Sequence, residues 1–270
     1  MAAVRPRPPV KWAGGKSQLL PQLDPLFPAG FNLYLEPFVG GGAVFFHLRP
    51  PAAVLFDNNR ELLNFYQVVR DNLEPLLVDL KRHRNEREYY YAIRAQDPEE
   101  MDPISRASRF LYLNKTAYNG LWRVNRLGQY NVPFGRYKNP RIVDEENLRA
   151  VQAALQGARI IPGDFSQVLQ YARPGDFVYL DPPYQPVSAT AYFTSYTATA
   201  FSEEDQERLA GVFRALDRRQ CQVMLSNSDT DLIRKLYRGY DIQEVSARRA
   251  INCRPERRGP VTELVIRNYS

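Results

Sequence analysis

Short apolar runs separated by polar stretches form the most regular pattern along the chain. Each run is four to seven residues long and nearly continuous, which is typical of strands buried on both faces of a sheet. These predicted strands lie at residues 33–37, 53–56, 158–161, 176–180, 221–225, 240–245 and 261–267. Helical spacing occurs between many of them, at 43–48, 202–217 and 230–237, with Ser202 placed to cap the second of these helices. The alternation predicts an α/β fold with a mostly parallel sheet, and the last two strands predict a terminal antiparallel hairpin.

The middle of the chain lacks this alternation. Helical periodicity dominates residues 61–84, 88–95 and 104–116, and residues 120–135 mix aromatic residues, Val and Asn around a Leu-Gly turn signal that fits a β-hairpin. We therefore predict a mostly helical insertion with a hairpin at residues 60–145. Residues 1–59 and 146–270 would form the domain that carries the sheet.

Charge is unevenly distributed along this insertion. The chain has a formal net charge of +6, and residues 103–143 contain no Asp or Glu. The same segment contains eight Lys or Arg residues and seven aromatic residues. A basic solvated face over ordinary core aromatics would explain this composition. Aromatic side chains between uncompensated cations favour nucleic acid instead, because it offers phosphates to pair with and bases to stack on.

A glycine triplet and three acidic residues mark the ends of predicted strands. Gly40 to Gly42 follow the first strand and precede a helix, where a backbone without side chains can approach a ligand closely. The dinucleotide fingerprint is not completed, because Phe45 occupies its third glycine position, which argues against NAD and FAD. Asp57, Asp164 and Asp181 each follow a predicted strand. Carboxyl ends of parallel strands share one edge, where open α/β sheets bind ligands, so Asp57 is a candidate for ribose hydroxyls and Asp164 for an adenine amino group.

The strongest chemical signal is DPPY at residues 181–184, directly after a predicted strand. Two prolines explain a stiff turn but do not explain the acid and the aromatic ring beside it. An exocyclic aromatic amine is a poor nucleophile because its lone pair is delocalised into the ring. The Asp181 carboxylate and a proline carbonyl can accept its two N–H groups and favour a tetrahedral, nucleophilic nitrogen, while Tyr184 stacks on the ring.

Several other classes of protein are disfavoured. His47, His83, Cys221 and Cys253 are the only soft metal ligands and none are paired at ligand spacing, so no metal site is predicted. No apolar run approaches a membrane span, and the N-terminus has no apolar signal-peptide core. Two distant cysteines and these absences make the cytoplasm the expected location.

Taken in order, the motifs resemble the Dam family of DNA adenine-N6 methyltransferases, which includes the GATC methylases of restriction–modification systems. VKWAGGK at residues 10–16 resembles the N-terminal cofactor motif of the family, EPFVGGG at 36–42 its methyl-donor loop, and DPPY its catalytic motif. YNGLWR at 118–123 and NVPFGRYK at 131–138 resemble its DNA-reading hairpin. DPPY alone is shared with other amino methylases, whereas the ordered set is specific and spans nearly the whole chain.

The resemblance implies a Rossmann-like class I methyltransferase fold, with residues 60–145 as an inserted target-recognition domain that binds DNA. It also implies S-adenosyl-L-methionine as donor, no metal, and double-stranded DNA with GATC sites as substrate. The catalytic residues would be Asp181, Pro182, Pro183 and Tyr184. The cofactor would be bound by Trp12, Lys16, Phe38, Gly40, Gly42, Asp57, Asp164, Phe165 and Asp181. The residues that would read bases or intercalate between them are Tyr118, Asn119, Leu121, Arg123 and Pro133. Lys11 would lie near the first target base. Phosphates would be contacted by Asn131, Arg136 and Lys138. Bacterial cytoplasm or nucleoid is the implied location, and a cognate restriction endonuclease is a candidate partner in the same system, with no direct contact implied.

Three alternatives stay open at this point. Cytosine-N4 and RNA adenine methyltransferases use similar chemistry, although the former usually carry Ser and the latter Asn where this chain has Asp181. A DNA-binding protein that kept the fold and lost catalysis is the third, and the intact DPPY motif and glycine loop argue against it. The bulky Trp122 beside Arg123 is a local difference whose effect on DNA reading the sequence does not decide.

Overall fold

A twisted seven-stranded sheet forms the centre of the structure, a computed structural model that describes residues 4–185, 201–248 and 260–270. The strands are Tyr34–Glu36 (β1), Ala53–Asp57 (β2), Ala158–Pro162 (β3), Phe177–Leu180 (β4), Gln222–Ser228 (β5), Asp241–Arg248 (β6) and Pro260–Arg267 (β7). Their order in the sheet is β3-β2-β1-β4-β5-β7-β6. The first five pair in parallel, whereas β7 is antiparallel to both β5 and β6. The predicted α/β fold with a terminal antiparallel hairpin is therefore confirmed.

Ten α-helices are found in the described part of the chain. They are Leu20–Leu23 (α1), Ala43–Leu48 (α2), Arg60–Asp71 (α3), Leu73–Leu80 (α4), Arg87–Ala95 (α5), Pro103–Thr116 (α6), Glu145–Leu155 (α7), Val168–Tyr171 (α8), Glu203–Arg218 (α9) and Asp231–Leu236 (α10). Ser202 caps α9 as predicted, and its hydroxyl and the Asp205 carboxylate form a reciprocal capping box. No helix in the described ranges is long and apolar enough to cross a bilayer.

Alternate residues of each strand face opposite sides of the sheet, and each side has its own apolar core. In β4, Phe177 and Tyr179 join the core beneath α2, α3, α4, α6 and α7. Val178 and Leu180 join the other core, which is covered by α8, α9 and α10. Burial on both faces explains why the strands are continuous apolar runs. The arrangement fixes the carboxyl ends of β1 to β5 at one edge of the sheet.

Helices of the predicted insertion share a core with one face of the sheet. Phe110 of α6 contacts Phe65 of α3 at a ring distance of 5.5 Å and Trp122 at 4.5 Å. The same continuous cluster contains Tyr34 of β1 and Leu55 of β2. The insertion is therefore packed against the sheet rather than joined to it by a linker. The boundaries at residues 60 and 145 stay a prediction.

The predicted hairpin is present as two short antiparallel contacts rather than as a ladder. Isolated bridges join Ala117 to Phe134 and Val124 to Tyr130. At its tip the Asn125 carboxamide oxygen accepts the backbone N–H groups of Leu127 and Gln129, both at 3.0 Å. A bonded turn therefore holds the tip, while the segments leading to it are mostly irregular.

Candidate active site

Asp181 follows β4 at the carboxyl edge of the sheet, where it pairs with a buried lysine. The Lys16 ammonium lies 2.8 Å from the Asp181 carboxylate and also donates to the Gly14 carbonyl at 2.6 Å. The Lys16 side chain is only 3% exposed. The structure thus joins two predicted site residues that are far apart in sequence. The pair can keep a largely buried carboxylate ionised.

Opposing effects set the protonation of Asp181. Burial raises the pKa of its carboxyl from 3.8 to about 6, the adjacent Lys16 ammonium opposes that rise, and the nearby Glu263 carboxylate adds to it. Glu36, at the end of β1, lies in the same region and is 2% exposed. Burial also raises the pKa of Glu36 well above its usual range. Asp181 is therefore a carboxylate that titrates close to neutral pH.

Tyr184 lies between a cation and a carboxylate. The Lys16 ammonium is 4.8 Å from the centre of its ring, and its hydroxyl donates to the Glu263 carboxylate at 2.7 Å. Burial raises the pKa of the Tyr184 hydroxyl well above its usual range, so it remains a hydrogen-bond donor. Both contacts restrict the plane of the ring.

A buried polar network supports the backbone of the DPPY segment. Gln206 of α9 donates to the Pro183 carbonyl at 3.1 Å, and Asn227 of β5 donates to Gln206 at 3.0 Å. Asn227 also accepts the Gln185 backbone N–H at 3.2 Å, and the Ser228 hydroxyl donates to the Gln185 carbonyl at 2.6 Å. Gln206 and Asn227 are fully buried.

This network leaves the Pro182 carbonyl without a hydrogen-bond donor among the described residues. Among hydrogen bonds between the described residues, the carbonyls of Pro183 and Gln185 each accept one and that of Pro182 accepts none. Proline residues at 182 and 183 also have no N–H to donate. The Pro182 carbonyl is thus an acceptor next to the Asp181 carboxylate.

The glycine triplet forms a tight turn against Trp12 and Asp57. Gly40 adopts φ +46°, and a Cβ there would lie 2.7 Å from the indole of Trp12. Its N–H donates to the Asp57 carboxylate at 3.0 Å, while Asn59 donates to the other oxygen at 2.9 Å. Burial raises the pKa of Asp57 and these two backbone hydrogen bonds oppose the rise. The loop therefore holds the β2 carboxylate beside the β1 turn.

An aromatic wall stands beyond this carboxylate. The rings of Phe38 and Phe165 stack at 5.4 Å, and Phe201 contacts both, at 6.0 and 5.8 Å. Asp164 is engaged by Arg208 through both oxygens, at 2.9 and 3.0 Å. Its Oδ1 also accepts from the backbone and hydroxyl of Ser166, so Oδ2 keeps more capacity for a further donor.

A second group of predicted residues lies on the hairpin. The Asn114 side chain is buried and bonds Lys11 at both its N–H and its carbonyl, at 2.9 and 2.8 Å, and the Gly120 carbonyl at 3.2 Å. This clamp brings Lys11 to the hairpin, where its ammonium lies 4.5 Å from the centre of the Tyr137 ring. Tyr118 is 51% exposed.

The charges and partners on this surface are only partly those expected from the sequence. Lys11, Arg123, Arg126, Arg136 and Lys138 form no ion pair within the described ranges; we call them the free cations. Four more basic residues belong to the acid-free segment. Arg106 pairs with Glu61 and Glu99, Arg141 pairs with Asp144, and Arg109 is buried against two carbonyls. The fourth is Lys115, and burial lowers the pKa of its ammonium to about 8. The prediction of uncompensated cations therefore holds for only part of the segment, because Glu61, Glu99 and Asp144 lie outside it and pair with Arg106 and Arg141.

Trp122 does not face solvent beside Arg123. It is 8% exposed, with ring distances of 4.5 Å to Phe110 and 4.7 Å to Tyr130. The hydroxyl of Tyr130 donates to the Leu121 carbonyl at 2.9 Å. Trp122 is thus part of the support under the hairpin, while the Arg123 side chain is exposed and donates to Asn131 at 2.7 Å.

Comparison with known proteins identifies the family. The model of the D12 class N6 adenine-specific DNA methyltransferases matches residues 12–251. The chain belongs to this family of methyltransferases. A type II methyltransferase of Lactococcus lactis subsp. cremoris is 45% identical over 271 residues, covering 97% of this chain and 95% of that protein. A type II methyltransferase of Methanocaldococcus jannaschii is 42% identical, covering 97% and 99%, and the DNA adenine methylase of Escherichia coli K12 is 37% identical, covering 95% and 93%.

The predicted family, enzyme class and fold are confirmed by this membership. The roles of the individual site residues of the methyltransferase stay predictions. The geometry brings Lys16, Asp181 and Tyr184 into contact, and Trp12, Gly40 and Asp57 into a second group beside them. Cys253, which was set aside as a metal ligand, lies outside the described residues.

Sequence reasoning missed several residues of this methyltransferase site. Glu263 and Gln206 contact the DPPY segment from β7 and α9, and Asn227 of β5 bonds Gln185 directly after it. Glu36 lies in the glycine-loop motif and was not singled out, although an acid at the end of a buried strand was a usable signal. Polar residues at the end of the apolar strand β5 were a weaker signal for Asn227.

The pH dependence of the methyltransferase should follow Asp181. Because only the ionised carboxylate could stabilise positive charge on the nitrogen and take up its proton, we expect kcat/KM for DNA to fall as pH drops through about 6. Lys16→Met removes the ammonium that lowers this pKa. The acid limb of the pH–rate profile, which is the fall in rate at low pH, should therefore move to higher pH. Rates from pH 5 to 9 at saturating cofactor would measure the shift, with the exposed Lys235→Met as control. An acid limb that stays at the same pH or moves to lower pH in Lys16→Met would contradict the prediction that Asp181 sets the pH dependence.

Proposed function

We propose that the protein transfers the methyl group of S-adenosylmethionine to the N6 amino group of adenine in double-stranded DNA, at GATC sites, after the base has flipped out of the helix. The observation that carries this proposal is a pair of acceptors beside the ring of Tyr184: the Asp181 carboxylate, and the Pro182 carbonyl, which accepts no hydrogen bond from the described residues. A planar primary amine has two N–H donors and a π face, which match these three groups.

The residues at the strand ends suit the proposed cofactor. Asp57 presents a partly buried carboxylate with acceptor capacity for ribose hydroxyls, held by Gly40 and Asn59. Phe38 and Phe165 offer an apolar wall for a nucleobase, and the Asp164 Oδ2 can accept an amino group beside Arg208. Trp12, Lys16, Gly42 and Asp181 would complete the site. When bound, the cofactor supplies an electrophilic methyl group on a sulfonium, which is already activated for transfer.

The DPPY segment would prepare the adenine nitrogen for attack. Asp181 and the Pro182 carbonyl accept its N–H groups, which favours a tetrahedral nitrogen with an available lone pair. Tyr184 stacks on the base and fixes its plane. Asp181, with a pKa of about 6, can then accept the proton that the nitrogen loses and pass it to water. Gln206 and Asn227 keep the segment rigid through this sequence.

DNA would bind along the hairpin of the insertion, which we propose to be the recognition domain. The five free cations and exposed Tyr118 lie on this part of the chain or are clamped to it through Asn114. Arg136 and Lys138 would contact phosphates, and Asn131 would do so while orienting Arg123. Arg123 would read a guanine edge, Tyr118 would fill the space left by the flipped base, and Asn119, Leu121 and Pro133 would line the readout.

The biological setting is proposed from the relatives. Two of them, at 45% and 42% identity, are named type II methyltransferases. We propose on this basis that the chain protects DNA from a cognate endonuclease of the same system. The E. coli relative, at 37% identity, is named DNA adenine methylase.

Labelled-methyl transfer would test the proposed function. The purified chain should label a duplex containing one GATC site and should not label a duplex with GTTC, an RNA of the same sequence or a duplex whose adenine is already N6-methylated. Digestion of the product should yield N6-methyl-2′-deoxyadenosine as the labelled nucleoside. Label in N4-methylcytosine, in RNA only, or in no nucleic acid would contradict the proposal.

A further inference from the structure

Glu263 has no role in the family motifs described above, yet it lies within the catalytic group. In the antiparallel pairing of β7 with β5 it is opposite Ser228, at the carboxyl end of β5. The start of β7 therefore reaches the same edge of the sheet as Asp181. There the Glu263 carboxylate accepts the Tyr184 hydroxyl at 2.7 Å. The hydrogen bond crosses from the final strand to the DPPY segment, 79 positions earlier in the chain.

The bond acts on the ring that the adenine would contact. A phenol that donates to a carboxylate forms a charge-assisted hydrogen bond, which is shorter and about twice as strong as a neutral one. It fixes the far end of the ring, while the Lys16 ammonium lies 4.8 Å from the ring centre. A tyrosine fixed at its hydroxyl has less freedom to rotate about its side-chain bonds. Its face is then ready for stacking before the base arrives.

We propose that Glu263 is a positioning residue for methyl transfer: it holds Tyr184 in the plane that stacks the target adenine, and its charge faces Asp181. The proposal rests on the proposed function. In this role Glu263 acts through the Tyr184 hydroxyl rather than on the reacting atoms. The groups that face Asp181 in the described structure are Lys16, Tyr34, Glu36, Tyr179, Tyr184 and Glu263. Within this set only Lys16 is a cation, so removal of the Glu263 charge should favour the ionised form of Asp181.

Paired variants separate this role from a purely structural one. Glu263→Ala and Tyr184→Phe each remove the hydrogen bond, and each should lower kcat by about ten- to a hundredfold. The double variant should be no slower than the slower single variant, because both changes break one interaction. Glu263→Gln keeps an acceptor oxygen and should retain more activity than Glu263→Ala. Glu244→Gln on the neighbouring strand, an exposed residue, is the matched control and should behave as wild type.

Two further measurements should change only if Glu263 positions Tyr184, and not if it merely stabilises the fold. In Glu263→Gln the acid limb of the pH profile should move to lower pH, opposite in direction to Lys16→Met. With a duplex carrying the fluorescent base 2-aminopurine at the target position, Glu263→Ala should bind with unchanged Kd but with brighter emission, because the extruded base stacks less well on Tyr184. The unfolding temperature of each variant shows whether the fold is kept.

The proposal is overturned if the single-variant losses multiply in the double variant, if the acid limb does not move in Glu263→Gln, or if the emission equals that of wild type. It is also overturned if the loss of activity in each variant matches a loss of folded protein. Failure of the proposed function has a different signature, since wild type itself would then form no N6-methyladenine in any of the duplexes. The rates of the Glu263 and Tyr184 variants are therefore compared with that of wild type on a duplex that wild type methylates.

Discussion

Replacing Asp181 by Asn should lower the rate of methyl transfer by about 10²–10³-fold, since one preorganised electrostatic contact to the reacting group is lost. The amide has nearly the same shape, but it has no charge to stabilise the cationic nitrogen and can accept no proton. The change also leaves the Lys16 ammonium, 3% exposed, without its carboxylate. An unpaired buried charge is destabilising, so the unfolding temperature should fall as well.

A second substitution separates the two effects. In Asp181→Asn combined with Lys16→Met the unpaired charge is gone, and the unfolding temperature should recover while methyl transfer stays low. Asp229→Asn, which follows β5 and pairs with Arg234, changes the same chemical group outside the site and should retain full activity. Single-turnover labelling of a GATC duplex at saturating enzyme measures the chemical step. Near-normal turnover in Asp181→Asn would exclude the carboxylate as the acceptor for the amine.

The seven strands were predictable because burial on both sheet faces requires nearly continuous apolar residues. Each predicted run matches an observed strand, including β6 and β7, whose direct succession indicated the antiparallel pair. The helix α7, residues Glu145–Leu155, was not predicted, although Asp144 caps it and Leu148, Val151 and Leu155 are buried along one face. In the helical region that follows β2, Asn72 at φ −138° separates α3 from α4.

The candidate site was predictable where strand topology determines position and hidden where it depends on long-range pairing. Asp57, Asp164 and Asp181 lie at or just after the carboxyl ends of the parallel strands β2, β3 and β4, so their common edge could be inferred from the pattern alone. The bonds from Tyr184 to Glu263 and from Lys16 to Asp181 join positions that only the folded chain brings together. Local sequence carries no signal for such pairs.

Hairpin side chains illustrate a further physical limit. Composition could count the cations of residues 103–143, but it could not show that Arg106 and Arg141 are neutralised by acids outside that segment. The bulk of Trp122 suggested an effect on DNA reading, whereas its ring fills the space between Phe110 and Tyr130. Exposure and pairing decide which members of a basic aromatic segment can contact a ligand, and both are properties of the folded chain.

Arg123→Ala should relax discrimination at one base pair of the recognition site, with a loss of about 1–3 kcal/mol for the preferred site relative to its single-base variant. The Arg123 guanidinium is exposed, forms no ion pair with a described residue and is oriented by Asn131 at 2.7 Å, which leaves its terminal nitrogens available for a guanine edge. Arg126→Ala, at the hairpin tip, is the matched control. As a free cation with no proposed base contact, Arg126 would act on DNA only through phosphate charge, so its loss should weaken binding to all duplexes about equally and reduce the salt dependence of log K by about one unit. Relative kcat/KM values on GATC and its single-base variants measure both effects. If Arg123→Ala weakens every duplex to the same extent, as Arg126→Ala should, then Arg123 is a phosphate contact and the base reading belongs to another residue of the hairpin.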